Sequence, residues 1–111
     1  MRKTNILRKQ IDFKRVYNKG KSQGSKYLVL LYRENSSGEN RVAFVASKKV
    51  GNSVKRNRAR RLLREAFREL SGQIAGNHDL VFVARKDIES AKEPEVLASM
   101  KGVLNKTKLL K

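Results

Sequence analysis

Apolar positions along the chain follow two rhythms. Tyr27-Leu28-Val29-Leu30-Leu31-Tyr32 is a short aliphatic and aromatic run set between Lys26 and Arg33, which predicts a strand. Arg41-Val42-Ala43-Phe44-Val45-Ala46-Ser47 and Asp79-Leu80-Val81-Phe82-Val83-Ala84 have the same character. The polar stretch Asn35-Ser36-Ser37-Gly38-Glu39-Asn40 lies between the first two and reads as a turn, so the second strand is expected to pair back on the first. Lys21 to Gly24 allows a short extra strand. Elsewhere the spacing is helical. Ala59, Leu62, Leu63, Ala66, Phe67 and Leu70 fall within an arc of roughly 140° on a helix running from about Ser53 to Leu70. Val96, Leu97, Met100, Val103 and Leu104 give one apolar face to a last helix that starts near Pro94. A first helix is expected from Asp12, as its cap, to about Asn18, with Gly20 just past its end. Ile11 and Val16 have the spacing of a hydrophobic staple around that cap. Helix, two or three strands, helix, strand, helix is an α+β arrangement with helices packed on a small sheet.

No linker or repeat divides the 111 residues, so a single domain over 1–111 is expected, with residues 1–10 as a mobile basic arm. Charge changes the picture more than size does. Lys and Arg number 27 against 10 acids, a net charge of +17. Such an excess repels itself unless a polyanion neutralises it, which points first to nucleic acid and second to an anionic membrane surface. No apolar run is long enough to span a bilayer, and the basic N-terminus lacks the apolar stretch of a signal peptide, so the expected location is cytoplasmic. Without cysteine there can be neither a disulfide nor a cysteine-based zinc site.

The basic residues are concentrated on the predicted long helix. Arg60, Arg61, Arg64 and Arg68 fall together within about 100°, opposite the apolar arc. Arg56, Asn57 and Arg58 sit near the helix start, where unpaired backbone N–H groups already favour a phosphate. Each guanidinium can fork onto phosphate oxygens or stack on an unpaired base. A solvated basic face is the plain alternative, and a membrane-surface helix another. The apolar face, however, is needed to cover the sheet and is not free for lipid.

Phe13 and Tyr17, four residues apart, share a side of the first helix. Tyr27, Val29 and Leu31 should alternate onto one face of the following strand. These rings either fill the core or form a stacking platform for an unpaired strand. Lys48 and Lys49 are either ordinary surface lysines or neighbouring phosphate contacts. For catalysis the inventory is poor: one histidine, His78, scattered acids, no nucleophile–base pair and no phosphate-binding glycine loop. No catalytic residue and no metal ligand is assigned.

The stretch from Ser47 to Glu65, with Arg56-Asn57-Arg58 followed by Arg60-Arg61 and Arg64, resembles the signature of the bacterial ribonuclease P protein family. The likeness runs upstream through Gly20, Tyr17, Val16, Phe13 and Asp12, and downstream to Asp79-Leu80-Val81 and Ala84-Arg85. It departs mildly at Arg60 and Tyr17, where many members have Lys and Phe. The resemblance implies an α-β-β-β-α-β-α sandwich like the second domain of ribosomal protein S5, with a left-handed βαβ crossover around the basic helix. It implies a catalytic RNA subunit as partner and removal of the 5′ leader from precursor tRNA, with Mg²⁺ held mainly by the RNA and the hydrolysis carried out there. No membrane and no obligate protein partner is implied. By the same resemblance Arg56, Asn57, Arg58, Arg60, Arg61, Arg64 and Arg68 contact the catalytic RNA. Phe13, Tyr17 and Tyr27, with Lys48 and Lys49 nearby, would hold the leader. A structural RNA-binding protein of ribosomal type, without a processing role, is the competing reading, and a basic DNA-binding module a weaker one.

Overall fold

The computed structural model describes residues 4–7 and 10–111, the side chains of residues 4, 5 and 10–12 excepted. In chain order the elements are β1 (Thr4–Ile6), α1 (Gln10–Lys19), β2 (Lys21–Gly24), β3 (Leu28–Glu34), β4 (Asn40–Val45), α2 (Ser53–Leu70), β5 (His78–Ala84) and α3 (Glu93–Lys106). A short 3₁₀ turn, Lys86–Ser90, joins β5 to α3. The strands form one sheet in the order β1-β4-β5-β3-β2. The chain is therefore α+β, as expected.

Two expectations about the strands fail. Part of the segment expected to be a mobile arm is a strand: Thr4–Ile6 pairs parallel with Asn40–Val42. Residues 1–3, 8 and 9 lie outside the described residues. Nor does the strand after the turn pair back on the one before it. β5 inserts between them, antiparallel to β3 and parallel to β4. The reason lies in composition. Leu80, Val81 and Phe82 are all fully buried, so β5 needs cover on both faces and a partner on both edges, which only the centre of a sheet supplies. β4, α2 and β5 thereby become a parallel βαβ unit.

α1 begins at Gln10, two residues ahead of Asp12, so Asp12 lies within the first turn and is not the cap. The side chains of Ile11 and Asp12 are outside the described residues, the staple with them. Gly20 ends α1 at a close approach of backbones, where an added Cβ would lie 2.7 Å from the Tyr32 carbonyl oxygen. Only a residue without a side chain fits.

The two faces of the sheet carry different cores. Toward α2 and α3, Leu30, Phe82 and Phe44 form one cross-strand row and Tyr32, Leu80 and Val42 the next. Phe44, Phe67 and Phe82 meet there with ring centroids 5.7–6.0 Å apart. Toward α1 there are three rows: Val29–Val83–Val45, Leu31–Val81–Ala43 and Arg33–Asp79–Arg41. Val16, Leu7, Ala43 and Val81 form the small core under α1, with Phe13, Leu31, Val45 and Val83 half-buried around it. No helix among the described residues is long and apolar enough to cross a membrane.

Candidate RNA interface

α2 positions the basic side chains because its other face must be buried. Ala59, Leu63, Ala66, Phe67 and Leu70 are buried and Leu62 packs against the same core, as the spacing predicted. Asn52 caps the helix, its Oδ1 accepting from the Lys55 backbone N–H at 3.0 Å. On the outer face Asn57, Arg61, Arg64 and Arg68 are exposed and Arg60 is half-exposed. Asn57, Arg60, Arg61 and Arg64, with Val54 and Arg58, line a shallow hollow of about 500 Å³. Acidic cover is thin. Glu65 reaches Arg68 at 3.5 Å, and the Arg60 guanidinium donates to Asn57 Oδ1.

Arg58 is placed differently from its neighbours. Its guanidinium turns inward and donates to three backbone carbonyls of the segment after β5: Ile88 at 3.4 Å, Glu89 at 3.2 Å and Ala91 at 2.7 Å. Lys55 adds an ion pair to Glu89 at 2.5 Å, and this holds the Glu89 carboxyl below its usual range. Arg58 thus ties α2 to the turn that leads into α3. Arg56 is half-buried, with one nitrogen donating to Ser53 Oγ at 3.2 Å.

The aromatic residues separate into two groups. Phe13 is half-buried at the edge of the α1 core, and Tyr17, one turn on, is 52% exposed. Tyr27 does not join them. It is buried in the larger core on the other side of the sheet, and its hydroxyl donates to Glu95 of α3 at 3.0 Å. The expected alternation fails because Tyr27 precedes β3, in the turn where Ser25 and Leu28 are hydrogen-bonded, so the strand's period does not govern it. Lys48 and Lys49 are exposed in the turn after β4. Lys49 lines a hollow together with Val83, Arg85 and Lys86, and Val83 is also part of the half-buried rim around the α1 core. Arg85, Lys86, Val45 and Val83 are therefore additions to the sequence-derived set. Val29 and Val83 each stand beside a fully buried neighbour, Leu30 and Phe82, but only strand registry could align them with Val45.

One groove connects the two regions. β1 pairs with β4 only as far as Val42, and among the described residues no strand pairs with the β4 edge at Ala43–Val45. There Phe13, Val45, Phe44 and Phe67 line an apolar groove of about 520 Å³, with Arg64 and Arg68 at its side. Among the described residues, no three His, Cys, Asp or Glu side chains gather where they could hold a metal ion. His78 opens β5, and its buried Nδ1 has no hydrogen-bond partner among the described residues.

The sequence model of the Ribonuclease P family matches residues 1–108. The chain belongs to this family. It is 39% identical over 110 residues to a ribonuclease P protein component of Alkaliphilus metalliredigens, covering 99% of both chains. With that of a Thermoanaerobacter species it shares 44% over 108 residues, 97% of this chain and 93% of the relative. Among solved structures, the Staphylococcus aureus RNase P protein superposes with a TM-score of 0.87 at 29% identity, over 98% of this chain and 100% of that one. The Thermotoga maritima RNase P protein gives 0.82 at 29% identity, over 92% and 96%. Membership makes the chain a subunit of a ribonuclease complex that acts in tRNA 5′ processing, with RNase P RNA as its partner.

Proposed function

We propose that the exposed face of α2 binds RNase P RNA and that Phe13 and Tyr17, on the opposite side of the sheet, hold the 5′ leader of precursor tRNA. The observation that carries this is the basic hollow of Asn57, Arg60, Arg61 and Arg64, backed by a fully packed apolar face and almost without acidic cover. A backbone phosphate lying in it would meet several guanidiniums at once, each able to fork onto its oxygens. Arg68 extends the surface toward the groove at the β4 edge. Arg56 contributes at the helix start, and Arg58 supports the surface from behind rather than by touching RNA.

For the leader, Tyr17 offers an exposed ring on which a base can stack, and Phe13 a half-buried one beside the valine row. Lys49, with Arg85 and Lys86, would take the neighbouring phosphates, and Lys48 lies beside them. Tyr27 has no part in this surface. The described side chains include no acid–base pair suited to phosphodiester cleavage, so hydrolysis is assigned to the RNA, with Mg²⁺ held there. This chain's own residues bind and orient RNA and offset its charge.

The test is Arg60, Arg61 and Arg64 replaced together by Ala. None of the three is buried, so the fold should persist. Affinity for RNase P RNA should drop and its salt dependence flatten, by about 0.7–0.9 in log–log slope for each phosphate no longer neutralised. Unchanged affinity and slope in a folded variant would refute the assignment.

A further inference from the structure

At the far end of the α1 face lies a polar pocket of about 530 Å³ that the reading above leaves unused, lined by Arg15, Arg33 and Arg41 with Glu34 at the end of β3 and the turn residues Ser36 and Ser37. Its floor is the cross-strand row Arg33–Asp79–Arg41. Asp79 is 1% exposed, and its carboxylate is committed to one side. Arg41 donates to it twice, Nε at 2.7 Å and Nη2 at 2.8 Å, and the Asn35 side-chain amide donates at 2.8 Å. Asn35 is itself fixed, since its Oδ1 accepts from the Ser37 backbone and hydroxyl at 3.0 and 2.9 Å. Asp79 therefore spends its charge on Arg41 and holds that guanidinium still. Arg33, its neighbour on the other strand, is left unneutralised, and Arg15 of α1 faces the same pocket. Neither Arg15 nor Arg33 forms an ion pair or side-chain hydrogen bond with another described residue. Among the described residues, the only carboxylate in the lining is that of exposed Glu34.

We propose that this corner, built by Arg15 and Arg33 over the Asp79–Arg41 floor, is a second phosphodiester-binding site for RNA, separate from α2. The inference rests on the RNA-binding reading of the chain. α1 lies between this pocket and the valine row, and α2 is on the opposite face of the sheet, so a phosphate held here belongs to a different stretch of RNA. Two forked donors with no acidic partner among the described residues, in a pre-ordered pocket, suit a backbone phosphate, and no aromatic ring is among its described lining residues. The strand can come from RNase P RNA or from precursor tRNA, and the chemistry at the protein is the same.

The experiment compares R15A/R33A in the full chain with two other double variants, K101A/K106A and R61A/R64A. The first removes two exposed charges from α3. The second tests the α2 surface. Binding of the protein to RNase P RNA, and of precursor tRNA to the reconstituted complex, is followed over a range of salt. We expect R15A/R33A to melt like the parent, to lose about ten-fold affinity for one of the two RNAs, and to lower the salt slope by roughly 1.4–1.8, the share of two phosphates. Which RNA responds names the source of the strand. R15K/R33K should recover part of the loss, and K101A/K106A should lose clearly less. Equal effects from the arginine and lysine doubles, or no effect of R15A/R33A on either RNA, would overturn the site. If R61A/R64A weakens binding while R15A/R33A does not, this inference falls and the α2 reading stands. If neither does, the α2 reading falls too. Should the double variant unfold, R15A alone carries the same readout, because Arg15 is exposed on its helix.

Discussion

Phe13 and Tyr17 are one helical turn apart, yet truncating them should have different consequences. Tyr17 is 52% exposed, so Tyr17→Ala removes little packing and should hardly move the melting temperature. Stacking on one ring is worth about 1–3 kcal/mol per base, so the same change should cost about ten-fold or more in affinity for precursor tRNA and spare mature tRNA, which has no leader. Phe13 borders the α1 core. Truncating a fully buried Phe to Ala costs about 3–5 kcal/mol, so Phe13→Ala, at a half-buried ring, should cost roughly 1–3 kcal/mol of stability, with a loss of leader affinity on top. Melting curves paired with affinities for substrates with and without a leader decide this. Equal losses for both substrates in Tyr17→Ala would refute the stacking role. Arg58 belongs to a third kind. With three carbonyls to satisfy, Arg58→Ala should destabilise by about 1–3 kcal/mol, unlike Arg61→Ala, which should be neutral in a denaturant melt. Sequence position could not separate these two arginines. Arg58's carbonyl partners lie 30 to 33 residues away, and only the docking of the 3₁₀ turn against α2 turns the side chain inward.

The elements show where local rules suffice and where they do not. α2 runs from Ser53 to Leu70, the bounds read from the sequence, because cap, apolar arc and helix-forming residues all agree there. β1 left no such trace. Three residues cannot show a period, and its partner lies 36 positions on. Strand order was also hidden, since adjacency across a short turn favours a hairpin and only the burial demands of β5 override it. Tyr27 was misplaced for a related reason: it stands one residue ahead of β3, and its direction is set by α3. That contact supports a prediction at this scale. Glu95 accepts from the Lys92 backbone N–H at 2.9 Å, at the start of α3, and from the Tyr27 hydroxyl at 3.0 Å. Both bonds favour the carboxylate, and its pKa is held below the usual range, the Lys92 bond contributing most. A group with a lowered folded pKa contributes stability above its unfolded value, about 4.3, and loses that contribution as the pH falls through the folded one. Glu95→Gln should therefore lower stability near neutrality and flatten the decline below about pH 4.3, as read from melts across pH. An acid limb identical to the parent's would show that Glu95 does not anchor α3.

At the scale of the whole molecule, one sheet keeps two basic surfaces apart. α2 occupies one face with its arginines outward. α1 crosses the other, leaving the aromatic and valine side open at one end and the Arg15–Arg33 corner at the other. The groove at the β4 edge, with Phe13 on one wall and Arg64 and Arg68 on another, is the short way round between the two faces. Such an arrangement suits a protein that grips one RNA and presents another to it. On the proposed reading, its +17 charge would take the part of a high concentration of divalent cations, by easing the approach of two RNA backbones. Cleavage should follow the RNA. The purified chain alone should leave precursor tRNA intact, and adding it to RNase P RNA should restore efficient processing at low Mg²⁺, where the RNA alone should be slow. The benefit should shrink as Mg²⁺ or monovalent salt is raised, because both compete for the same phosphates. Rates measured over a Mg²⁺ series with and without the protein check this directly. Robust cleavage by protein rigorously freed of RNA would mean that the chain holds a catalytic centre of its own.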